Sequence, residues 1–281
     1  MGDGALCERL LDGKGVPTHH PRMPGELHRQ AVDAFQAEFA RQLGCEVAAF
    51  HRQGLTVVER PPEGREPHLV IVAECGLGTV ISTRDSALLP WLEQATARLE
   101  YHFRAFQPAF LEATAEEARR LGHAGARTHG TTLGVVLASE PAAGETGAAI
   151  ERLTAEEIFA LRATDVFDNA LLESDEPPEE LARFGAAFGV RGAERQFVAM
   201  AGVWDQYTGI DEIGVDVVRE ARGQGLARAV TLEAARWVRE QGRWPVYTTG
   251  MSNLRSMNNG LACGFRPGWA LTVVYVPRAA G

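Results

Sequence analysis

The chain has 281 residues, 45% hydrophobic, 23% charged and 7% aromatic, with a formal net charge of -9. This fits one large or two ordinary globular domains, and no stretch reaches the roughly 20 apolar residues of a membrane span. The acidic balance argues against a nucleic-acid partner, which needs a basic face, and favours a cationic substrate.

The opening segment "MGDGALCERLLDGKG" has no basic stretch followed by an apolar run, so a signal peptide is not expected. Cys7, Cys45, Cys75 and Cys263 are scattered with no C-x-x-C pair. Neither a metal site nor a disulfide framework is expected, and a reducing, cytoplasmic setting fits.

In chain order, a helical stripe runs through Leu27, Ala31, Phe35, Phe39 and Leu43. "LTVVER", "HLVIVAE" and "GTVIST" read as strands, with "ECGLGTV" as the hairpin turn joining the last two. Helices are expected over 86–99 and 107–122, then a strand at "TTLGVVLA". The Gly- and Pro-rich stretch "SEPAAGETG" reads as a linker. The expected organisation is therefore an N-terminal α/β domain over 1–140, a linker over 141–147 and a second domain over 148–281.

In the second half, Thr154 followed by Glu157 is a capping-box signature after a short apolar run. The acidic "ESDEPPEE" reads as a loop or a short helix entry. "AAFGVRGAERQFVAMAGVW" reads as a hairpin turning at "RGAER", and "DEIGVDVV" as the next strand. Val230, Ala234, Trp237 and Val238 mark a helix that Gly242 closes. "PVYTTGM" is a strand, "NLRSMNNGLACGF" a short helix ending at Gly264, and "ALTVVYV" the last strand. The order is β-α-β-β-β-α-β-α-β.

The chemistry gathers at Arg222-Gly223-Gln224-Gly225-Leu226-Ala227, where a strand hands over to a helix. A helix N-terminus carries unpaired amides and partial positive charge, and glycines remove the Cβ atoms that would hold a ligand off them. Phosphate or pyrophosphate suits such a place; a plain tight turn is the alternative. Arg228 stands where a dinucleotide fingerprint needs its third glycine, and no G-K-S/T follows, so neither a Rossmann motif nor a P-loop is present.

R-x-x-G-x-A at 222–227 resembles the Q/R-x-x-G-x-G/A acyl-CoA motif of the GNAT superfamily of N-acetyltransferases. The preceding strand "EIGVDVV", the following strand "PVYTTGM", and Asn253, Ser256 and Gly264-Phe265 agree with that family in order and spacing. The resemblance covers roughly 148–281 and looks loosely like the zwittermicin-resistance-type subgroup. It implies a mixed, mostly antiparallel sheet, splayed between its fourth and fifth strands and flanked by helices. The preceding α/β domain could then be a degenerate GNAT-like unit walling the acceptor site.

By the same resemblance, pantetheine lies along the backbone of Val217 and Val218, and pyrophosphate on the amides of Gly223, Gln224, Gly225, Leu226 and Ala227. Arg222 faces the phosphates or caps the turn. Asn253 contacts the pantetheine arm or caps the next helix, with Ser256 beside it. The reaction implied is direct attack of a primary amine on acetyl-CoA, or another acyl-CoA, in a ternary complex. An alkyl amine is neutral in only about one molecule per thousand at pH 7, a cost of roughly 4 kcal/mol, so a base is needed.

All eight histidines lie between residues 19 and 129. A carboxylate is therefore expected as base unless the domains face each other: Glu212 first, Asp211 second, with Asp216 nearer the pantetheine gap. Many family members place a proton-donating tyrosine where this chain has Gly260; Tyr247, Tyr207, Cys263, Ser256 or water are the substitutes. Cys263 reads as a packing residue rather than an acyl carrier. The rival function is a non-catalytic or regulatory acyl-CoA-binding protein, motivated by that missing tyrosine. A small amine, no nucleic acid, no membrane and a homodimer complete the expectations.

Overall fold

The computed structural model describes residues 25–141, 149–164, 166–171 and 183–277. Beyond Pro141 the expected linker lies outside the described residues, as does "ESDEPPEE".

Ten strands form one sheet: β1 (Gly54–Glu59), β2 (Val70–Glu74), β3 (Gly78–Thr83), β4 (Arg127–Leu137), β5 (Ile150–Arg152), β6 (Phe184–Arg191), β7 (Phe197–Tyr207), β8 (Ile210–Val217), β9 (Trp244–Gly250) and β10 (Phe265–Tyr275). Their order is β1-β3-β2-β10-β4-β9-β8-β7-β6-β5. Only β1 with β3 and β8 with β9 run parallel; every other neighbour is antiparallel. The mixed, mostly antiparallel α/β fold expected from the sequence is present, with the splay between the fourth and fifth strands of its C-terminal half.

Among the described residues the α-helices are α1 (Glu26–Leu43), α2 (Ala48–His51), α3 (Leu89–Thr96), α4 (Pro108–Arg120), α5 (Ala155–Arg162), α6 (Asp168–Leu171), α7 (Leu226–Glu240) and α8 (Leu254–Ala262). Strand alternation sorts them onto two faces. Val135, Leu137, Tyr247 and Ile213 point toward the α7 core, whereas Val136, Val246 and Ile210 point toward α1. Thr154 and Glu157 form the expected capping box at the start of α5. The hairpin between β6 and β7 turns through Arg195, the one non-glycine residue of positive φ among the described residues.

Both halves of the sequence build this sheet together. β4, from the first half, sits between β9 and β10 of the second, pairing Val136 with Val246 on one side and with Arg266 on the other. From α1, Phe35 stacks on Trp269 of β10, with ring centroids 3.7 Å apart and planes 12° from parallel. Short-range patterning could not show this, because the residues concerned are more than a hundred positions apart.

Two glycines fix the short helix α6 against the sheet. A Cβ on Gly202 would lie 1.6 Å from the carbonyl oxygen of Ala170, and one on Gly214 would lie 1.7 Å from that of Asn169. The helix backbone therefore rests directly on β7 and β8. Replacing Gly214 by alanine is expected to push α6 off and destabilise the protein by about 1–3 kcal/mol, the usual cost of overpacking. Thermal unfolding measures this, and an unshifted midpoint would contradict the placement of α6.

Candidate active site

β8 and β9 pair over three residues only: Ile210 with Trp244, Asp211 with Pro245, and Glu212 with Val246. Beyond Glu212 the strands part, β8 staying with β7 and β9 with β4. The gap opens into a cavity of about 1040 Å³, lined along β8 from Glu212 to Val217 and along β9 from Tyr247 to Gly250.

Backbone alternation decides which β8 groups face this gap. The amide of Val218 donates to Val198 O at 3.0 Å, so Val218, Asp216 and Gly214 turn their backbone groups to β7. Ile213, Val215 and Val217 consequently turn theirs to the gap. The expectation for Val218 is corrected on this ground: its amide is spent on β7, and it does not line the cavity. Val217 does line it, and its carbonyl accepts from Arg222 Nε at 3.1 Å. Arg222 thus ties the glycine turn to the end of β8.

Gly223 and Gly225 both have positive φ, 78° and 76°, and nothing lies within 4 Å of where a Cβ would stand on either. Gly225 is the N-cap of α7, with no side-chain cap and no acidic residue in the first turn. The helix therefore presents uncapped amides to the cavity, which Gly223, Gly225, Leu226 and Ala227 all line. Gln224 is exposed and lies outside the lining. Arg228 and Arg255 add positive side chains to the same wall.

Asn253 lines the cavity and caps α8, its Oδ1 accepting from Ser256 N at 3.2 Å. Both readings of this residue can therefore hold together. Ser256 lies beside it, its Oγ 2.6 Å from Tyr247 Oη. Asn259 Nδ2 donates to Thr231 Oγ1 at 2.9 Å, locking α8 to α7.

Glu212 stands at the vertex where the strands part, half-buried, accepting a hydrogen bond from Thr248 Oγ1. Burial pushes its carboxyl up to about 7, opposed by the Thr248 bond and the Arg183 guanidinium, and reinforced by the nearby Glu66 carboxylate. That places it in the range where a carboxylate serves as a general base at neutral pH.

Asp211 is corrected as a candidate base. It points to the other face, 4% exposed, and both oxygens are held by Arg243: Oδ2 by Nε at 2.8 Å and Oδ1 by Nη2 at 2.6 Å. Arg243 also binds Asp205, so Asp211 belongs to a structural ion-pair network. Asp216 lines the cavity, but its oxygens accept from Asn169 Nδ2 at 2.8 Å and Ala170 N at 2.9 Å. Its task is to hold α6 in place.

No family model matches this sequence, and no curated protein does. Solved structures do resemble it. A GNAT-family protein from Novosphingobium aromaticivorans is 22% identical, with 54% of this chain and 66% of that one covered and a TM-score of 0.44. A GCN5-related N-acetyltransferase-like protein from Streptococcus suis is 14% identical, with 70% and 78% covered and a TM-score of 0.45. A GCN5-related N-acetyltransferase from Sphaerobacter thermophilus is 16% identical, with 78% and 80% covered and a TM-score of 0.42. The chain spans just under two thirds of the Novosphingobium protein's length. Likenesses this distant carry no argument about activity, which rests on the site's own geometry.

The site also sorts the groups that could protonate a leaving thiolate. Cys263 is 3% exposed, outside the cavity, with its thiol pushed up to about 12 by burial, so it packs. Tyr207 lies outside the cavity too, bonded to Glu66. Tyr247 and Ser256 remain. A Cβ on Gly260 would lie 3.5 Å from Tyr247 Cδ1, so the Tyr247 ring fills the space beside that glycine. Burial raises the Tyr247 hydroxyl above its ordinary value and keeps it protonated, able to donate.

Sequence reading missed Thr132, Asp168, Asn169, Trp204 and Thr248, which complete the wall. Thr248 alone carried a usable signal, since it shares strand parity with Val246, the partner of Glu212. The others reach the site from separate elements, one of them in the first half of the chain.

Among the described residues, no helix is long and apolar enough to cross a membrane.

Proposed function

We propose that this chain is an acyl-CoA-dependent N-acyltransferase, using acetyl-CoA as donor and a small primary amine as acceptor. The observation that carries the reading is the parting of β8 from β9 over the uncapped start of α7, with Glu212 at the vertex. The lining fits the donor. Open positive-φ glycines and uncapped amides suit a pyrophosphate, and the free edge of β8 suits an extended amide-bearing arm, much as an added strand would. Gly223, Gly225, Leu226, Ala227, Arg222, Val217, Asn253 and Ser256 would hold it.

Acyl-CoA supplies the activated thioester carbonyl. The chain supplies the rest. Glu212, deprotonated near neutral pH, takes the proton of the attacking amine directly or through water, and the cavity walls orient the two reactants. Tyr247, backed by Ser256, is placed to return a proton to the leaving sulfur. The first half of the chain contributes to the wall of the site through Thr132 of β4. Asp168, Glu212 and Asp216 line the cavity from α6 and β8, which favours an acceptor carrying positive charge.

Gly225→Glu is expected to abolish CoA binding, since it strains a φ of 76° and sets a carboxylate against the phosphate site. Isothermal titration with CoA tests this, and unchanged affinity would refute the cradle. Thiol release from acetyl-CoA across a panel of amines tests the reaction. Stabilisation by CoA without turnover on any acceptor would favour the other reading, a regulatory acyl-CoA-binding protein, for which the glycine at position 260 is the specific observation.

A further inference from the structure

Glu212 is held across a break in the sheet. Its strand, β8, is fixed on the far side by β7, where Glu212 stands opposite Trp204. β9 is fixed on its own far side by β4, where Thr248 stands opposite Gly134. Between β8 and β9 the backbone pairing ends at Glu212 and Val246, and beyond that point the ladder no longer ties the two strands. Thr248 lies two residues further along β9, on the same face as Val246. Its Oγ1 donates to Glu212 Oε1. A side-chain bond thus spans the splay where the backbone bonds have stopped, and both of its residues line the cavity.

The donor is fixed as firmly as the acceptor. Threonine is branched at Cβ, which confines its χ1 to few rotamers. Its partner Gly134 has no side chain, and the Trp269 ring takes that space: a Cβ on Gly134 would lie 1.9 Å from Trp269 Cε2. A hydroxyl carries one proton to donate, and Thr248 gives it to the carboxylate. Such a bond favours the ionised carboxylate over the neutral acid. The other groups that act on Glu212 are the Trp204 indole from β7, the Arg183 guanidinium just before β6 and the Glu66 carboxylate from the connection between β1 and β2. The Tyr207 phenol, at the β7–β8 turn, also interacts with it. Thr248 alone of these reaches it from β9, across the gap.

We propose that Thr248 is a positioning residue for the base: its hydroxyl bridges the parted strands and holds the Glu212 carboxylate at the vertex of the cavity. The inference rests on the reading of Glu212 as the base of an acyltransferase. Valine has the shape of threonine, suits a strand and offers no donor, so T248V should remove the bond and leave β9 in place. The carboxyl then loses a partner that favours its charge, and it should ionise at higher pH.

The test titrates the full chain labelled with ¹³C-glutamate and follows the Glu212 carboxyl, identified by its loss in E212Q. In the wild type the midpoint is expected at about 7. In T248V it should rise by about one to two pH units, the size expected for losing a hydrogen bond to a charged group. In T248S, which keeps the hydroxyl, it should return to within about half a unit of the wild type. T248A removes the same donor, should also raise the midpoint, and decides the matter if T248V does not fold. In acetyl transfer at pH 7, kcat of T248V should fall about tenfold while KM for acetyl-CoA stays within about twofold, and T248S should recover the rate.

An unmoved midpoint in T248V or T248A would overturn the proposal, because a threonine that only packs would change the melting temperature and leave the titration alone. An equal rise in T248S would overturn it as well, assigning the effect to lost bulk. The titration needs no substrate, so the two readings fail separately. An unmoved midpoint in an active enzyme would refute the role of Thr248 alone. A raised midpoint without turnover on any amine would refute the acyltransferase reading, and the positioning role with it.

Discussion

Glu212→Gln is expected to lower kcat by about 10²–10⁴-fold, the usual contribution of a positioned general base. The amide keeps the shape of the side chain and can still accept the Thr248 bond, so the strand vertex stays closed. Only the basicity is lost. CoA binding, which depends on the glycine turn and the start of α7, should stay within about twofold, separating a chemical defect from a binding one. The wild-type rate should rise about tenfold per pH unit on the acid side and level off near pH 7, where the Glu212 carboxyl titrates. In the variant that limb should vanish, leaving the dependence set by the acceptor amine. A kcat within about twofold of wild type would remove Glu212 from the mechanism.

The same displaced carboxyl affects stability with a definite sign. Its folded value lies above the unfolded one, so the fold favours the protonated form. That stabilisation is full below the ordinary glutamate range near pH 4 and is lost as pH rises through about 7. At neutral pH Glu212 weakens the fold it serves, and E212Q should unfold at a higher temperature than wild type at pH 8. Groups tuned for chemistry commonly carry such a cost.

A chain restricted to residues 148–281, the range that resembles an acetyltransferase domain, is expected not to fold cooperatively. β4 is the strand between β9 and β10, and that range lacks it. Val135, Val136 and Leu137 of β4 are essentially fully buried, packed with Tyr247 and Phe265 on one face and with Val246 and Trp269 on the other. Each buried aliphatic side chain contributes about 1.5–3 kcal/mol, against a total stability of about 5–15 kcal/mol for a native domain. Losing three, along with the backbone pairing on both sides, consumes most of that margin. The stacking of Phe35 on Trp269 goes as well. Thermal melting by circular dichroism and the dispersion of an amide spectrum would report the outcome. A sharp transition and a well-dispersed spectrum would show that the second half is an independent unit.

Much of the site was legible in the sequence because its signals are short-range. The glycines at 223 and 225 must supply positive φ at a helix entry, and no other residue does so as cheaply. Asn253 caps a helix three residues before Ser256, which spacing alone reveals. Strand alternation is equally local, yet it only states that Glu212 and Asp211 take opposite faces; it does not say which face holds the cavity. Tertiary structure placed Glu212 against the cavity and Asp211 on the other face, held by Arg243. It likewise placed Tyr247 and Ser256 in the cavity wall, and Tyr207 and Cys263 outside it.

By itself, then, the sequence determined the identity and order of most strands and helices, the turn that would cradle an anion, and a short list of carboxylates. Those properties follow from propensities, caps and periodicities that act over a few residues. Only the tertiary structure decided that β4 threads into the second half, that β8 and β9 part after three pairs, and that Glu66 meets Tyr207 across 141 positions of chain. Such contacts depend on which buried surfaces fit together, and no local rule encodes the fit. The burial that raises the Glu212 carboxyl is likewise a product of how the strands and their neighbours pack.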